Sequence, residues 1–145
     1  MARTCRQLPQ WSAWAKAWLG VVVIAFINGV LHRGNEGALG ELRAHQLSTA
    51  VLLVLLAPWV LRIEGRHPLP TGSAAAQVGL FWAAATVAFE FVFGQYVNQD
   101  SWATLVHDYD LRDGRLWLFD VIGIALAPVL ARAWRFQRHR AANRQ

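Results

Sequence analysis

Four long stretches of this 145-residue chain are almost free of charged side chains, and they constrain its fold more than any other feature. They are residues 17–31, 47–61, 69–96 and 116–131. The first two contain no charge, the third contains only Glu90 and the fourth only Asp120. Extended by polar residues at its ends, each stretch reaches the roughly 20 residues that a helix needs to cross about 30 Å of hydrocarbon.

These stretches are predicted to be helices rather than barrel strands. In lipid, every backbone N–H and C=O group must be satisfied within the spanning structure, and barrel strands alternate apolar with polar residues. Residues 51–56 show no such alternation. The chain is 55% hydrophobic and 16% charged, whereas soluble domains are about a quarter charged. We therefore predict an all-α, four-helix transmembrane bundle in a single integral-membrane domain, with spans at about 14–32, 41–62, 74–96 and 115–134 and a basic tail at 135–145.

The basic residues are divided unevenly between the two sides of the predicted bundle. Ten of the fourteen lie on the side of the termini and of the loop after span two, and four lie on the other side, which also carries six acidic residues. Because Lys and Arg near span ends favour the cytoplasm, both termini are predicted to be cytoplasmic. The basic side suits anionic lipid headgroups, and nucleic acid is not expected as a partner.

The first apolar stretch has one feature of a signal peptide. Arg3, Arg6 and Lys16 precede it, as the basic residues of a signal peptide would. No Ala-x-Ala cleavage pattern follows the stretch. We therefore expect the first span to be retained.

Tryptophan residues cluster near the predicted span ends. Trp11, Trp14 and Trp18 recur on one face of the first helix, and Trp59 and Trp134 lie near the inner ends of spans two and four. Amphipathic indole rings favour the level of the lipid headgroups. These side chains are therefore expected to form an interfacial aromatic belt.

Two connections are rich in turn-forming residues. Residues 32–40 contain three glycines and are predicted to form a tight loop before a second helix that begins near Glu41. Residues 62–73 contain Pro68 and Pro70, which end one helix before the next begins. Both stretches are predicted to be non-helical connections.

The connection between spans three and four has a helical pattern of its own. Four apolar or aromatic residues recur at i, i+3, i+4 and i+7: Trp102, Leu105, Val106 and Tyr109. Asp100 or Ser101 stands at the position of an N-cap, and Gly114 stands where such a helix would end. We predict a short amphipathic helix on the outer membrane surface or over the mouth of the bundle.

Two spans resemble each other in sequence. Residues 51–62 and 121–132 align at a separation of 70, with five identities in twelve positions. The restricted amino-acid alphabet of membrane helices explains such a match, and so does a duplicated hairpin of the kind found in some transporters. Pro58 and Pro128 are aligned, and each is expected to bend its helix near the inner end.

Every predicted span carries polar residues in the outer third of the membrane, roughly 6 to 9 Å deep at 1.5 Å per residue. A lipid-facing carboxylate costs about 2.5 to 3.5 kcal/mol on insertion scales, so Glu90 and Asp120 are expected to face the bundle interior. One interpretation is structural, with polar side chains joining the helices and Arg115 paired to Glu90 or Asp120. The functional interpretation is a polar pocket, open to the periplasmic side, that is lined by Asn28, His32, Glu41, His45, Thr49, Glu90, Tyr96, Arg115 and Asp120.

No spacing in the sequence is diagnostic of a cofactor or of catalysis. His32 and His45 could ligate a haem, and Glu41 with His45 could share a metal, but a capping or interfacial histidine is more common. We therefore predict neither haem nor metal. The sequence has no recognisable catalytic triad, phosphate-binding loop or dinucleotide motif, so an enzyme is the less favoured class.

The second half of the chain contains four distinctive sequence segments: FEFVFGQYV at 89–97, SW at 101–102, DYDL at 108–111 and GRLW at 114–117. In these segments the chain resembles small four-span bacterial membrane proteins. The resemblance implies a multi-pass protein of a bacterial inner membrane, and it brings no activity with it.

The pocket favours binding or transport of a small polar or cationic solute. Glu90 and Asp120 would serve as counter-ions or proton carriers, with Arg115 as their partner. An accessory subunit of a larger membrane complex, or a homo-oligomer, is the alternative. A membrane enzyme would require a copurifying metal or haem. Membrane lipids and the solute are therefore the expected partners, with a second copy or a complex subunit as the alternative.

Overall fold

The protein consists of five α-helices and one π-helical turn, seen in a computed structural model that describes residues 8–107, 109–110, 112 and 117–143. The π-helical turn, Gly94–Asn98, continues the third helix. No β-strand occurs among the described residues. The helices are α1 (Leu8–Leu39), α2 (Glu41–Arg66), α3 (Gly72–Phe93), α4 (Trp102–His107) and α5 (Trp117–Ala142).

Four of these helices are long and apolar enough to cross a membrane. The segments are Gln10–Leu31, Leu42–Arg66, Gly72–Asn98 and Trp117–Ala142. Each exceeds the roughly 20 residues that span the hydrocarbon core of a bilayer. The protein is a multi-pass membrane protein, and the predicted all-α helical bundle is confirmed.

The four long helices enclose a common core. α1 packs on α2, α2 on α5, α5 on α3 and α3 on α1, so α1 lies diagonally opposite α5. Successive spans alternate in direction, and α2 and α5 are therefore parallel neighbours. We refer to the end at which α1 and α3 begin as the basic end, because the arginines of α5 lie there. The opposite end is the acidic end.

The connection between α1 and α2 is the single residue Gly40, so the predicted loop 32–40 is wrong. α1 continues through this region to Leu39, and its 32 residues correspond to about 48 Å, more than the hydrocarbon thickness of about 30 Å. A glycine weakens a helix without forbidding it, so Gly34 and Gly37 did not end this one. Gly40 has a φ of 81°, which residues with a Cβ rarely adopt, and α2 begins at Glu41 as predicted.

α2 continues beyond the predicted span to Arg66, and this extension places Glu64 inside a helix. The connection 67–71 then contains Pro68 and Pro70. Thr71 caps α3, because its Oγ1 accepts the backbone N–H of the first turn at 3.1 Å. The predicted non-helical connection is therefore present over a shorter stretch.

α3 passes into the π-helical turn at the acidic end. The backbone N–H groups of Gln99 and Asp100 both donate to the carbonyl oxygen of Gly94. Gln99 ends the turn with a φ of 59°, in the left-handed region. Such a turn inserts one residue into the helical repeat and so rotates the side chains that follow it, and π-helical turns are frequent at functional sites.

α4 is the amphipathic helix predicted for the connection between spans three and four, in a shorter form. The Oγ of Ser101 caps it by accepting a backbone N–H at 3.2 Å. Leu105 is its buried residue and packs against Gly94, where a Cβ atom would meet the leucine side chain. The helix ends at His107, and the end predicted at Gly114 lies outside the described residues.

α5 continues through the region predicted to be a basic tail. It ends at Ala142, so Arg135, Arg138 and Arg140 are helical residues. A helix holds its side chains at fixed angular positions, which an irregular tail would not. The arginines of the basic end are therefore part of the folded bundle.

Tryptophan side chains form the core at the basic end. Trp14 and Trp82 are fully buried, with ring centroids 5.4 Å apart. The indole N–H of Trp14 donates to the carbonyl oxygen of His67 at 3.0 Å, and that of Trp82 donates to the carbonyl oxygen of Trp14 at 2.9 Å. The indole N–H of Trp59 donates to the carbonyl oxygen of Ala17 at 3.1 Å. The expectation that Trp14 joins an interfacial belt is wrong, because its ring faces the core and its N–H is satisfied by the backbone.

Candidate functional site

A polar cavity opens among the helices at the acidic end. Its volume is about 460 Å³, and small-molecule sites range from roughly 300 to 1,000 Å³. All five helices and the π-helical turn contribute to its walls. We refer to it as the polar cavity. Its polar lining residues are Asn28, Ser48, Thr86, Glu90, Asn98 and Asp100.

Two carboxylates give the polar cavity an acidic wall. Glu90 lies in the last turn of α3, and Asp100 follows the π-helical turn. Both side chains are partly buried. No Lys, Arg or His occurs among the described residues that line the cavity. The described lining therefore places two acidic side chains in one cavity.

Phenylalanine rings form an apolar wall in the same cavity. Phe26 of α1 is edge-on to Phe93, with 6.2 Å between ring centroids. Phe89 stacks on Phe93 at 5.5 Å, and all three residues line the cavity. The face of an aromatic ring attracts cations, most strongly where water is excluded. The polar cavity thus combines acidic groups with aromatic surface, a combination that suits quaternary or protonated amines.

Asn28, a predicted pocket residue, joins α1 to α2 and lines the polar cavity. Its Nδ2 donates to the carbonyl oxygen of Ser48 at 2.9 Å. The side chain is buried, and its Oδ1 has no hydrogen-bond partner among the described residues. An unsatisfied buried oxygen is costly, so this atom is suited to accept a hydrogen bond from a ligand.

Asp120 and Thr49 join α5 to α2 beside the polar cavity. Asp120 is 1% exposed, and its Oδ2 accepts the hydroxyl of Thr49 at 3.0 Å. Its Oδ1 has no partner in the described part of the chain. Asp120 therefore faces the bundle interior as predicted. Neither Asp120 nor Thr49 belongs to the described cavity lining, in contrast to the expectation, although the neighbouring Ser48 does.

The remaining predicted pocket residues are placed elsewhere or are not described. Tyr96 is 79% exposed and is not part of the cavity lining, in contrast to the expectation. It lies within the π-helical turn, six residues after Glu90, and residues at this spacing point to different sides of a helix. Arg115 and the side chains of His32, Glu41 and His45 lie outside the described part of the structure.

A second buried carboxylate, Glu64, lies at the basic end and was not among the predicted residues. It is 1% exposed, and its Oε1 forms an ion pair with the Nε of Arg135 at 2.8 Å. The backbone N–H of Leu69 donates to both carboxylate oxygens, at 3.1 and 3.4 Å. Helical periodicity is the signal that could have identified it, because it continues the buried face of α2 formed by Leu52, Leu56 and Val60.

No group of three or more His, Cys, Asp or Glu side chains that could hold a metal ion occurs among the described residues. His32 and His45, the candidate haem or metal ligands, lie outside the described side chains. The sequence-based expectation about cofactors therefore stays a prediction.

Comparison of the chain with protein-family models, with curated proteins and with solved structures found no match. The function is therefore inferred from the chemistry of the polar cavity.

Proposed function

We propose that the protein binds a small organic cation in the polar cavity. The observation that carries this proposal is the lining, in which two acidic side chains, Glu90 and Asp100, share the cavity with three phenylalanine rings. A cation that leaves water loses a large hydration energy. Carboxylates offset this loss by an attraction that is stronger among membrane helices than in bulk water. An anion would be repelled by the same wall.

The aromatic wall supports an organic cation. Phe26, Phe89 and Phe93 present ring surface to the cavity. A cation–π contact contributes about 0.5 to 2 kcal/mol, the larger value where water is excluded. The Oδ1 of Asn28 adds a neutral acceptor for a ligand N–H or O–H group. Quaternary ammonium ions and protonated amines are therefore the chemical class that we assign to the cavity.

Choline is a suitable probe, because it is a compact quaternary ammonium ion. Isothermal titration of choline into the purified full-length protein in detergent measures its dissociation constant. We expect Glu90→Gln to weaken binding by about tenfold or more, since one carboxylate is lost from the cavity wall. Asp100→Asn tests the second carboxylate in the same way.

Asp110→Asn is the matched control. It removes the same charge from an exposed side chain at the same end that does not line the cavity. Its asparagine retains the oxygen that accepts the backbone N–H of Arg112, so the local turn is kept. We expect an unchanged dissociation constant. Equal weakening in Asp110→Asn and both cavity variants, or no choline binding by the unmodified protein, would refute the proposal.

The buried Asp120 supports transport coupled to protons as an extension of binding. Ionisable residues inside membranes commonly mark ion or proton pathways. Proteoliposomes should then accumulate choline in response to a proton gradient. Asp120→Asn should abolish this accumulation while choline binding is retained. Binding without accumulation by the unmodified protein would limit the function to binding.

We also propose that the protein lies in a bacterial inner membrane with both termini in the cytoplasm. The ten basic residues on one side against four on the other support this orientation, in which the polar cavity opens to the periplasm. The single cysteine, Cys5, provides the test. A membrane-impermeant maleimide should label it only after the membrane is permeabilised. Labelling of Cys5 in intact spheroplasts would show that the N-terminus is periplasmic and would contradict the proposed orientation.

A further inference from the structure

The basic end carries a second concave feature, separate from the polar cavity. It is a groove of about 550 Å³ between the connection 67–71 and the last turns of α5. Arg132, Arg135 and Arg140 line it together with Phe136. No acidic side chain occurs among the described residues of its lining. We refer to it as the basic groove.

Two of the arginines are held in place by bonds to their surroundings. The Nε of Arg132 donates to the carbonyl oxygen of Leu69 at 3.2 Å, and a terminal nitrogen donates to that of Pro70 at 3.1 Å. The Nε of Arg135 donates to Glu64 at 2.8 Å. A guanidinium group has five N–H donors, so both arginines keep donors for a ligand. Because their side chains are already held in place, the entropic cost of binding a ligand is lower.

The groove also concentrates positive charge around one aromatic ring. The guanidinium carbon of Arg132 lies 5.8 Å from the ring centroid of Phe136, and that of Arg140 lies 5.1 Å from it. Glu64 balances Arg135, whereas Arg132 and Arg140 have no carboxylate in the groove lining that is described. An anion bound in the groove is attracted by both of these guanidinium groups. Phosphate oxygens match the forked donors of guanidinium groups especially well.

The position of the groove favours a phosphate that belongs to a lipid. The groove lies at the basic end of the membrane-spanning helices, where lipid headgroups are expected. Phe136 is 48% exposed there, and it offers apolar surface beside the arginines. Basic pockets between membrane helices bind acidic lipid headgroups in this way. We propose that the basic groove binds the phosphodiester headgroup of an anionic membrane lipid such as phosphatidylglycerol.

Native mass spectrometry of the full-length protein with phosphatidylglycerol tests this proposal. Arg140→Gln is the informative variant, because Arg140 lines the groove and takes no part in the Glu64 ion pair. We expect it to lower the affinity about fivefold, which corresponds to about 1 kcal/mol for one basic residue near the membrane surface. Thermal unfolding of the detergent-solubilised variant checks that it remains folded.

Arg138→Gln is the matched control. It removes the same charge from the same helix, but Arg138 lies over the ring of Trp134, 4.5 Å from its centroid, and does not line the groove. A loss of affinity in Arg140→Gln with retention in Arg138→Gln supports the site. Equal losses would overturn it, because they would indicate attraction to the overall charge of the helix.

Two further ligands distinguish the possible sources of the phosphate. Phosphatidylcholine, which has the phosphodiester but no net charge, should bind more weakly than phosphatidylglycerol. Equal binding of the two lipids would overturn the requirement for an anionic headgroup. Glycerol 3-phosphate should bind far more weakly than the lipid. If it binds as tightly, the groove is a site for a soluble phosphate ester and the lipid proposal is wrong.

Discussion

The two ends of the bundle join the same pair of parallel helices in different ways. At the acidic end Thr49 of α2 donates to Asp120 of α5, and at the basic end Arg135 of α5 donates to Glu64 of α2. Both pairs are separated by 71 residues, as expected of helices in register. The two contacts lie 15 residues apart along each helix, or about 22 Å. One contact is a single bond from a neutral donor, and the other is an ion pair.

The difference extends to the surroundings of each contact. Three buried side-chain oxygens lack a partner among the described residues, and all belong to the acidic end: those of Asn28, Gln95 and Asp120. At the basic end Glu64 accepts from both backbone and Arg135, and the indole N–H of Trp14 reaches a carbonyl oxygen. Unsatisfied buried atoms need a reason to persist, and a bound ligand is one such reason. We infer that the buried contacts of the basic end stabilise the bundle and that the acidic end binds the organic cation.

The largest loss of stability is expected from removal of a core tryptophan at the basic end. Trp14→Ala should destabilise the protein by about 3 to 5 kcal/mol, because a fully buried ring is lost together with its hydrogen bond. Equilibrium unfolding in mixed micelles measures the change. Trp134→Ala alters an exposed ring at the same end and should cost about 0.5 kcal/mol. Similar costs for the two variants would show that the basic end is not packed around Trp14.

The two contacts between α2 and α5 should also differ in strength. Glu64→Leu removes the acceptor of Arg135 and of the Leu69 N–H, and should cost about 1.5 to 3 kcal/mol, the range for hydrogen bonds to charged groups. Thr49→Val removes one hydroxyl and should cost about 0.6 kcal/mol, the average for a hydrogen bond between membrane helices. The same unfolding assay compares them. A larger loss of unfolding free energy for Thr49→Val than for Glu64→Leu would contradict the inference that the basic end stabilises the bundle.

Gly79 and Gly29 lie in contrasting surroundings, one closely packed and the other open. A Cβ atom at Gly79 of α3 would collide with the carbonyl oxygen of Ala125 in α5, whereas nothing lies within 4 Å of a Cβ atom at Gly29, which lines the polar cavity. Gly79→Ala should therefore cost about 1 to 3 kcal/mol in unfolding free energy. Gly29→Ala should be neutral, or stabilising by up to about 1 kcal/mol through helix propensity. Equal destabilisation would contradict an open acidic end.

The architecture could be predicted from the distribution of charge along the chain. Hydrocarbon tolerates neither unpaired backbone groups nor scattered charges, so four stretches that are almost free of charge are sufficient to indicate four helices. The same reasoning predicted that Asp120 faces the interior, because a carboxylate within a span avoids lipid. The start of α4 was predicted with Asp100 or Ser101 as its cap, because capping depends on neighbouring residues alone, and the cap is Ser101.

The features that were missed depend on tertiary contacts. An aromatic helix face can lie either at the lipid headgroups or in a protein core. Trp14 is buried because neighbouring helices pack over it, which the sequence of α1 alone does not show. Glu64 was assigned to a loop because Arg62 suggested the end of the span, whereas its partner Arg135 lies 71 residues away. Tyr96 was placed in the pocket by its depth at the outer end of the third span, and depth alone does not fix the direction of a side chain. Helix rotation and pairing of this kind cannot be derived from periodicity within one segment.

The charge preference of the polar cavity is the most direct test of a cation site at the acidic end. Choline and 3,3-dimethylbutan-1-ol have nearly the same shape, but only choline is charged. Titration of each compound into the unmodified protein therefore isolates the effect of charge. We expect choline to bind at least about tenfold more tightly than the alcohol. Equal affinities, or tighter binding of the alcohol, would contradict a cation site formed by Glu90 and Asp100.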